Sequence, residues 1–307
     1  MKSYRSLGEL TGILEAHIAE RVDAISAALP RTARTDDTAK FLANVRNATA
    51  NSIKQAPAAA QRALAATQRI DAALTDLVSI IEDDPSLTQA LLRYANSAYY
   101  ATGGPAIVSL KQAAQRIGIS GVHNVVLSSM VNGALCKPGS TYQPMVDQVH
   151  AHMVRTAPLA RVLARAFQVS PDEAYALGLL HDVGKLVIFD ILGSLRHQLR
   201  RDVRIDPSVV RQILTQVHEP FGGLAAIRWS LGASVAASIA SHHRTTQPEK
   251  PDPMGELLFV AERADHARQG VRALELEQWW TEGALTTPME PVTPLLDAYL
   301  PEELAAL

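Results

Sequence analysis

YALGLLHDVGKLVIFD, residues 175–190, passes from an apolar helix straight into charge. Ala176, Leu177, Leu179 and Leu180 run into adjacent His181 and Asp182, with Gly184 and Lys185 directly behind. A buried helix thus delivers an imidazole and a carboxylate at its C-terminal end, where the glycine lets the chain turn. Neutral imidazole with carboxylate is a ligand set that suits first-row metals. A lysine at the neighbouring turn is placed to hold a phosphate as a point charge. His-Asp at a helix end is common, so its meaning depends on whether further ligands arrive from elsewhere in the chain.

Charge bounds the partners. The 307 residues include 29 Lys+Arg against 31 Asp+Glu, so no global field draws the chain to nucleic acid or to an anionic membrane. The single cysteine, Cys136, leaves no intrachain disulfide and fits a reducing cytoplasm; it reads as a small core residue. MKSYRSLGELTGILEAH at the N-terminus has no apolar signal core, and no uncharged apolar run reaches membrane-spanning length. A soluble, cytoplasmic protein is expected. Aromatics at 5%, abundant Ala and Leu, and few β-branched runs predict an all-α fold. The one strand-like run, 122–131, is read as a buried helix.

Four segments are expected. Residues 1–55 form an appended helical segment. Its first helix, 7–29, carries Leu10, Ile13, Leu14, Ile18, Val22, Ile25 and Leu29 at amphipathic spacing and stops at Pro30. A weaker, mostly polar helix follows at 39–54. The apolar stripe reads as core of this chain, with a homodimer surface as the alternative. Residues 56–136 form a first lobe of short helices, with Asp84 as an N-cap, Pro85 at the first helical position, and Ser109 capping 110–117. CKPGSTYQP, 136–144, marks the boundary. Residues 137–270 form a second lobe, with helices over 145–167, 172–181, 186–199, 208–217, 222–231, 233–242 and 255–269, the first kinked at Pro158. Residues 271–307 are a proline-rich tail whose Trp279 and Trp280 pack back on the body. The basic run 196–204 lacks the interleaved aromatics that base stacking needs and reads as a solvated face, so no nucleic acid is expected.

The candidate ligands are His152, His181, Asp182, His218, His242 or its neighbour His243, and Asp265, each in or at the end of an apolar helix. His150 and His266 lie close by and compete for two of the places. Spacing alone leaves open whether these side chains converge.

The order of the candidates resembles a known pattern. His152, His181-Asp182 and Asp265 are similar to the H…HD…D series of the HD metal-dependent phosphohydrolase superfamily, with His218 and His242 where its HD-GYP-like branch has further ligands. Upstream, Asp84-Pro85-Ser86-Leu87 through Leu91-Leu92-Arg93-Tyr94-Ala95-Asn96-Ser97-Ala98-Tyr99 resembles the DPxLxxxLLRxANSAxx signature of the HDOD (HD-related output domain) family. Ile107, Ser109, Leu110, Ala113 and Ile117-Gly118 resemble its next stretch. His218, Gly222-Gly223, Trp229, Leu231, His242-His243 and Ala264-Asp265 resemble its later ones. The likeness runs over about 57–270. It implies an all-α, two-lobed domain, a helical bundle packed on an HD-like helical bundle, with a mainly regulatory role in bacterial signalling through a protein partner. It also implies a divalent metal (Fe, Mn, Mg or Zn), mono- or dinuclear, on His152, His181, Asp182, His218, His242 and Asp265. Two departures stand out: the proline-rich opening is reduced to Ala56-Pro57-Ala58, and Arg244-Thr245-Thr246-Gln247-Pro248 replaces the DGxGYP stretch of cyclic-di-GMP hydrolases.

Two functions follow. In the first, the chain is a non-catalytic interaction module in which Asn96 is a cap or turn former and Tyr99 and Tyr100 pack. In the alternative it is a metal-dependent phosphohydrolase acting on a nucleotide or cyclic dinucleotide. Asp182 then bridges two ions that activate a water, and Lys185 is a phosphate contact or proton donor.

Overall fold

A computed structural model describes residues 6–69, 71, 73–97, 100, 105–135, 142–243, 252–270 and 276–299. Cys136, Tyr99, most of the 136–144 boundary and the 244–248 replacement lie outside the described residues. The elements found are helices, with no strand among the described residues, as expected of an all-α chain. No helix among them is long and apolar enough to cross a membrane. The chain divides into two compact units, Lys54–Cys136 and the combination of Met1–Ile53 with Lys137–Leu307.

The smaller unit contains α3 (Ala58–Thr67), α4 (Leu74–Glu82), α5 (Pro85–Ala95) and α6 (Leu110–Leu135), numbered after two α-helices of the larger unit that precede them in the chain. α6 is its centre, packed by the other three. Asp84 caps α5 by accepting from Ser86 N at 2.9 Å and Leu87 N at 3.0 Å, with Pro85 in the first turn. Gly118 breaks α6 at φ 69°, a conformation a residue without Cβ adopts at no steric cost. Beyond it Val122, Val125, Val126, Leu127, Met130 and Val131 are buried, so the strand-like run is a core helix. Asn96 fulfils its expected structural part. Its Nδ2 donates to Leu92 O at 3.0 Å and Ile107 O at 2.8 Å, while its Oδ1 accepts from Ile107 N at 2.8 Å. The side chain thereby clips the end of α5 to the approach to α6. Tyr100 packs on Tyr94, ring centroids 5.3 Å apart.

In the larger unit, α1 (Leu7–Ala28) lies on α10 (Pro207–Arg228), and α2 (Asp36–Arg46) lies on α9 (Val183–Leu199). Leu10, Leu14, Ile18, Val22 and Ile25 are buried there, so the stripe is core of this chain, while Ile13 is 36% exposed and stands off it. α2 begins three residues before its expected start because Thr35 Oγ1 caps Thr38 N at 3.1 Å. Asp37 thereby enters the first turn, where the helix dipole favours a carboxylate. It accepts from Arg201 Nη1 and Nη2 at 2.9 and 2.5 Å and from Arg204 N at 2.9 Å. Arg196 pairs with Asp202 at 2.9 Å. Part of the basic run is therefore tied down within the fold.

α10 corrects the expected pair of helices over 208–231. It runs unbroken through Glu219 and Pro220. Proline has no N–H for the carbonyl four residues back; that carbonyl, on Gln216, instead accepts from the Arg21 guanidinium of α1. The remaining helices are α7 (Gln143–Leu163), α8 (Pro171–Leu180), α11 (Ala233–Ile239), α12 (Pro253–Arg268), α13 (Leu276–Glu282) and α14 (Thr293–Tyr299). The last two lie where only a tail was expected. They fold back as anticipated: Trp279 is buried, and buried Glu256 accepts from Thr286 Oγ1 at 2.7 Å and Thr287 N at 2.9 Å.

Candidate metal centre

Two glycines let the helices close around His181 and Asp182. A Cβ on Gly178 would lie 3.0 Å from Ala157 Cα, so α8 rides directly on α7, which carries His152. A Cβ on Gly184 would stand 1.8 Å from His218 O and 2.6 Å from Gly222 N, so α9 and α10 touch backbone to backbone. Gly184 thus serves close approach rather than the turn expected of it. The chain reorients two residues earlier, with Asp182 at φ −98° and ψ 8°.

Asp182 stands at the middle. Its Oδ2 lies 2.6 Å from Lys185 Nζ, 3.6 Å from His181 Nε2 and 3.8 Å from His152 Nε2. Its Oδ1 lies 3.5 Å from His218 Nε2 and 3.8 Å from His242 Nε2. None of these four histidines or Asp182 is more than 6% exposed. His243 joins the second half, its Nε2 2.9 Å from His218 Nε2. One carboxylate therefore faces two sets of rings.

The outward nitrogens fix which atoms face inward. His181 Nδ1 donates to Gly178 O at 2.8 Å, and His242 Nδ1 donates to Ile239 O at 2.7 Å. A carbonyl only accepts, so each neutral ring turns a bare Nε2 lone pair inward. His152 Nδ1 donates to Asp265 Oδ2 at 2.7 Å and leaves its own Nε2 bare. The Nε2 atoms of His152 and His181 then face one another at 3.2 Å, two lone pairs that repel unless something positive lies between them. Two ligands about 2.1 Å from one ion stand about 3.0–3.4 Å apart at near-tetrahedral to right angles. Asp182 Oδ1 and His242 Nε2 are buried without a hydrogen-bond partner, a costly condition in an interior. The donor set and its orphaned atoms fit a divalent cation.

Electrostatics prepares the same state. Burial pushes His181 down to about 4 against the pull of Asp182, and pushes His218 and His242 well below their ordinary value. The rings are neutral ligands near pH 7. Burial opposes ionisation of Asp182, but Lys185 foremost and the surrounding rings hold its carboxyl well below the usual range. Burial likewise opposes the Lys185 ammonium, and Asp182 and Glu262 outweigh it. Lys185, its side chain 20% exposed, is therefore the ion partner of Asp182.

His152, His181, Asp182, His218 and His242 come together. Asp265 stands one step back. Its Oδ1 accepts from Arg155 Nε at 2.7 Å, and its Oδ2 accepts from Arg155 Nη2 at 2.9 Å as well as from His152 Nδ1. It orients His152 rather than facing the cluster. Sequence reasoning passed over Arg155, one helical turn after His152, and two buried glutamates, Glu219 and Glu262. Glu219 Oε1 accepts from His243 N at 3.0 Å. The signal for Arg155 and Glu262 was i+3 spacing to His152 and Asp265 on α7 and α12.

The HDOD domain profile matches residues 53–245, well over half of the chain. An uncharacterized protein of Treponema pallidum (strain Nichols) is 27% identical over 209 residues, 66% of this chain and 40% of that protein. Ribonuclease Y of Opitutus terrae is 26% identical over 197 residues, 64% of this chain and 32% of the enzyme. The chain thus spans less than half the length of either relative. Among solved structures, a Shewanella amazonensis SB2B protein provisionally assigned as a metal-dependent phosphohydrolase shares the fold at TM-score 0.64 and 17% identity, over 85% of this chain and 95% of that one. A Marinobacter aquaeolei VT8 protein provisionally assigned to signal transduction does so at TM-score 0.59 and 23% identity, over 93% and 66%. With the signature residues around Asn96 and the profile in agreement over most of its length, the chain belongs to the HDOD domain family.

Proposed function

We propose that this chain is a regulatory protein of bacterial signal transduction, resident in the cytoplasm. It works by engaging a protein partner, and its HD-type cluster holds a divalent metal as a scaffold rather than for turnover. The observation that carries this reading is closure. The ligand atoms of His152, His181, Asp182, His218 and His242 belong to residues at most 6% exposed, with only His243 beside them partly open. A catalytic metal keeps an open coordination position for water or substrate, whereas a structural site is closed. An ion here joins four separate stretches of chain, and its binding energy becomes folding energy. The fold likeness to a protein assigned to signal transduction points the same way. The partner surface is assigned to the Asn96-bearing unit, whose signature residues have no part in the cluster.

Hydrolysis of a nucleotide or cyclic dinucleotide is the second reading, and the Lys185–Asp182 pair favours it. A bound divalent ion supplies Lewis-acid polarisation of a phosphoryl oxygen and a nucleophilic water. Lys185, held at 2.6 Å from Asp182, would then position a phosphate oxygen or give up a proton from Nζ.

The two readings separate in one assay series. Purified protein is analysed for metal and then offered a generic phosphodiester and cyclic dinucleotides with Mn or Fe. The scaffold reading expects stoichiometric metal with turnover at background. Turnover that disappears in Asp182→Ala would overthrow it.

A further inference from the structure

Three of the carboxylates around the rings lie at the N-cap of α9 and on α12, and two of these have hydrogen-bonded cations. Asp182 has Lys185 at 2.6 Å, and Asp265 has both prongs of Arg155. Glu262 differs. It is 5% exposed on α12, three residues before Asp265 and so on the same face, and its Oε2 makes no hydrogen bond. Its ion-pairing neighbours are imidazoles. His243 Nδ1 lies 3.3 Å from Oε2, and His266 Nδ1 lies 4.0 Å from Oε1. Ligand atoms of His152, Glu262 and His266 all lie within 4.8 Å of one another. The His266 ring stacks on His152, with centroids 4.6 Å apart and planes 10° from parallel.

A buried anion without hydrogen-bond compensation costs several kcal/mol as an order of magnitude, and such a group is retained where something positive occupies its neighbourhood. The groups that pair with Glu262 are rings, His243 at 3.3 Å and His266 at 4.0 Å. Among the three carboxylates it therefore has a charge that no side-chain hydrogen bond answers. Asp265 can accept little more, since three donors already share its two oxygens.

We propose that Glu262 is a second carboxylate ligand of the metal centre, in the place that sequence order gives to Asp265. Its two oxygens face His266 beside His152 and His243 beside His218. It can therefore serve either half of the cluster or join them as Asp182 does. Asp265 is then a positioning residue acting through His152. The inference rests on the metal reading of the cluster, and the experiment keeps the two apart.

Wild type, Glu262→Gln and Asp265→Asn are stripped of metal and titrated with Zn2+ against a chelating dye. Bound metal is counted by elemental analysis, and thermal unfolding is recorded with and without the ion. Glu262→Gln is expected to lose an ion per chain or at least 100-fold in affinity. Its metal-free form should melt at or above the metal-free wild type, because an uncompensated buried charge is gone. That crossing of metal-free and metal-loaded stabilities is not expected of a residue that only packs. Glu262→Gln binding Zn2+ within twofold of wild type, in number and affinity, overturns the proposal. A wild type that binds no ion removes the metal centre itself and the proposal with it. If the glutamine variant does not fold, Glu262→Asp replaces it, with the carboxylate drawn back by one methylene. At least tenfold weaker binding is then expected, and wild-type binding contradicts the assignment.

Discussion

His152 can offer a lone pair inward because Asp265 occupies its outer nitrogen at 2.7 Å and Arg155 in turn holds Asp265. Removing such an outer partner typically lowers metal affinity about 10–100-fold. Asp265→Asn is expected to fall in that range while keeping the number of ions bound, as equilibrium competition with a chelator would measure; loss of an ion would make Asp265 a direct ligand instead. His181 carries a pH dependence. The unfolded chain takes up this proton near 6.5 and the native ring only near 4, so acid favours unfolding across that window. Stability of the metal-free protein is then full above pH 6.5 and lost toward pH 4, by on the order of 3 kcal/mol from this ring. The urea midpoint of metal-free protein should fall between pH 7 and 4.5, and an unchanged midpoint would refute the account of a buried neutral ring. His181, Asp182 and His218 were legible as candidates because each lies in or at the end of an apolar helix. The division of work between Asp265 and Glu262 was not. They share one face of α12, and only the placement of Arg155 decides which of them is saturated.

At the scale of elements, the site depends on how closely α9 approaches α10. Gly184→Ala would force a methyl group to within 1.8 Å of His218 O. Because the obstacle is backbone, the helices must part, at about 3 kcal/mol or more. Gly193, in the same helix, has open space where a methyl group would stand, with nothing within 4 Å of it. Gly193→Ala should therefore stabilise by about 0.5–1 kcal/mol through helix propensity. Thermal melts of the two variants should move in opposite directions; a shared direction would mean that Gly184 is not the contact point. Helix existence was largely legible from caps such as Asp84 and from apolar period. The unbroken α10 was not, because the remedy for Pro220 comes from Arg21, nearly two hundred residues away in sequence.

At the scale of the molecule, the matched profile begins at residue 53, yet α1 and α2 belong to the same compact unit as the His/Asp cluster. Leu10, Leu14, Ile18, Val22 and Ile25 are each at most 4% exposed. At about 1.5–3 kcal/mol for each buried side chain, their loss approaches the whole stability of an ordinary domain. A chain starting at residue 54 is expected to be insoluble or loosely folded by near-UV circular dichroism, and a cooperative melt equal to wild type would contradict this. Composition and family signature made the two-part helical plan legible. The debt of the second part to the first fifty residues was not, since an amphipathic stripe does not name the face it covers. The most direct test of the central claim is X-ray absorption on the protein reconstituted with Zn2+. The account predicts at least one tightly held ion per chain with nitrogen and oxygen ligands at about 2.0–2.2 Å and the outer-shell scattering of several imidazoles. An ion retained without imidazole scattering, or none retained after gel filtration, would contradict it.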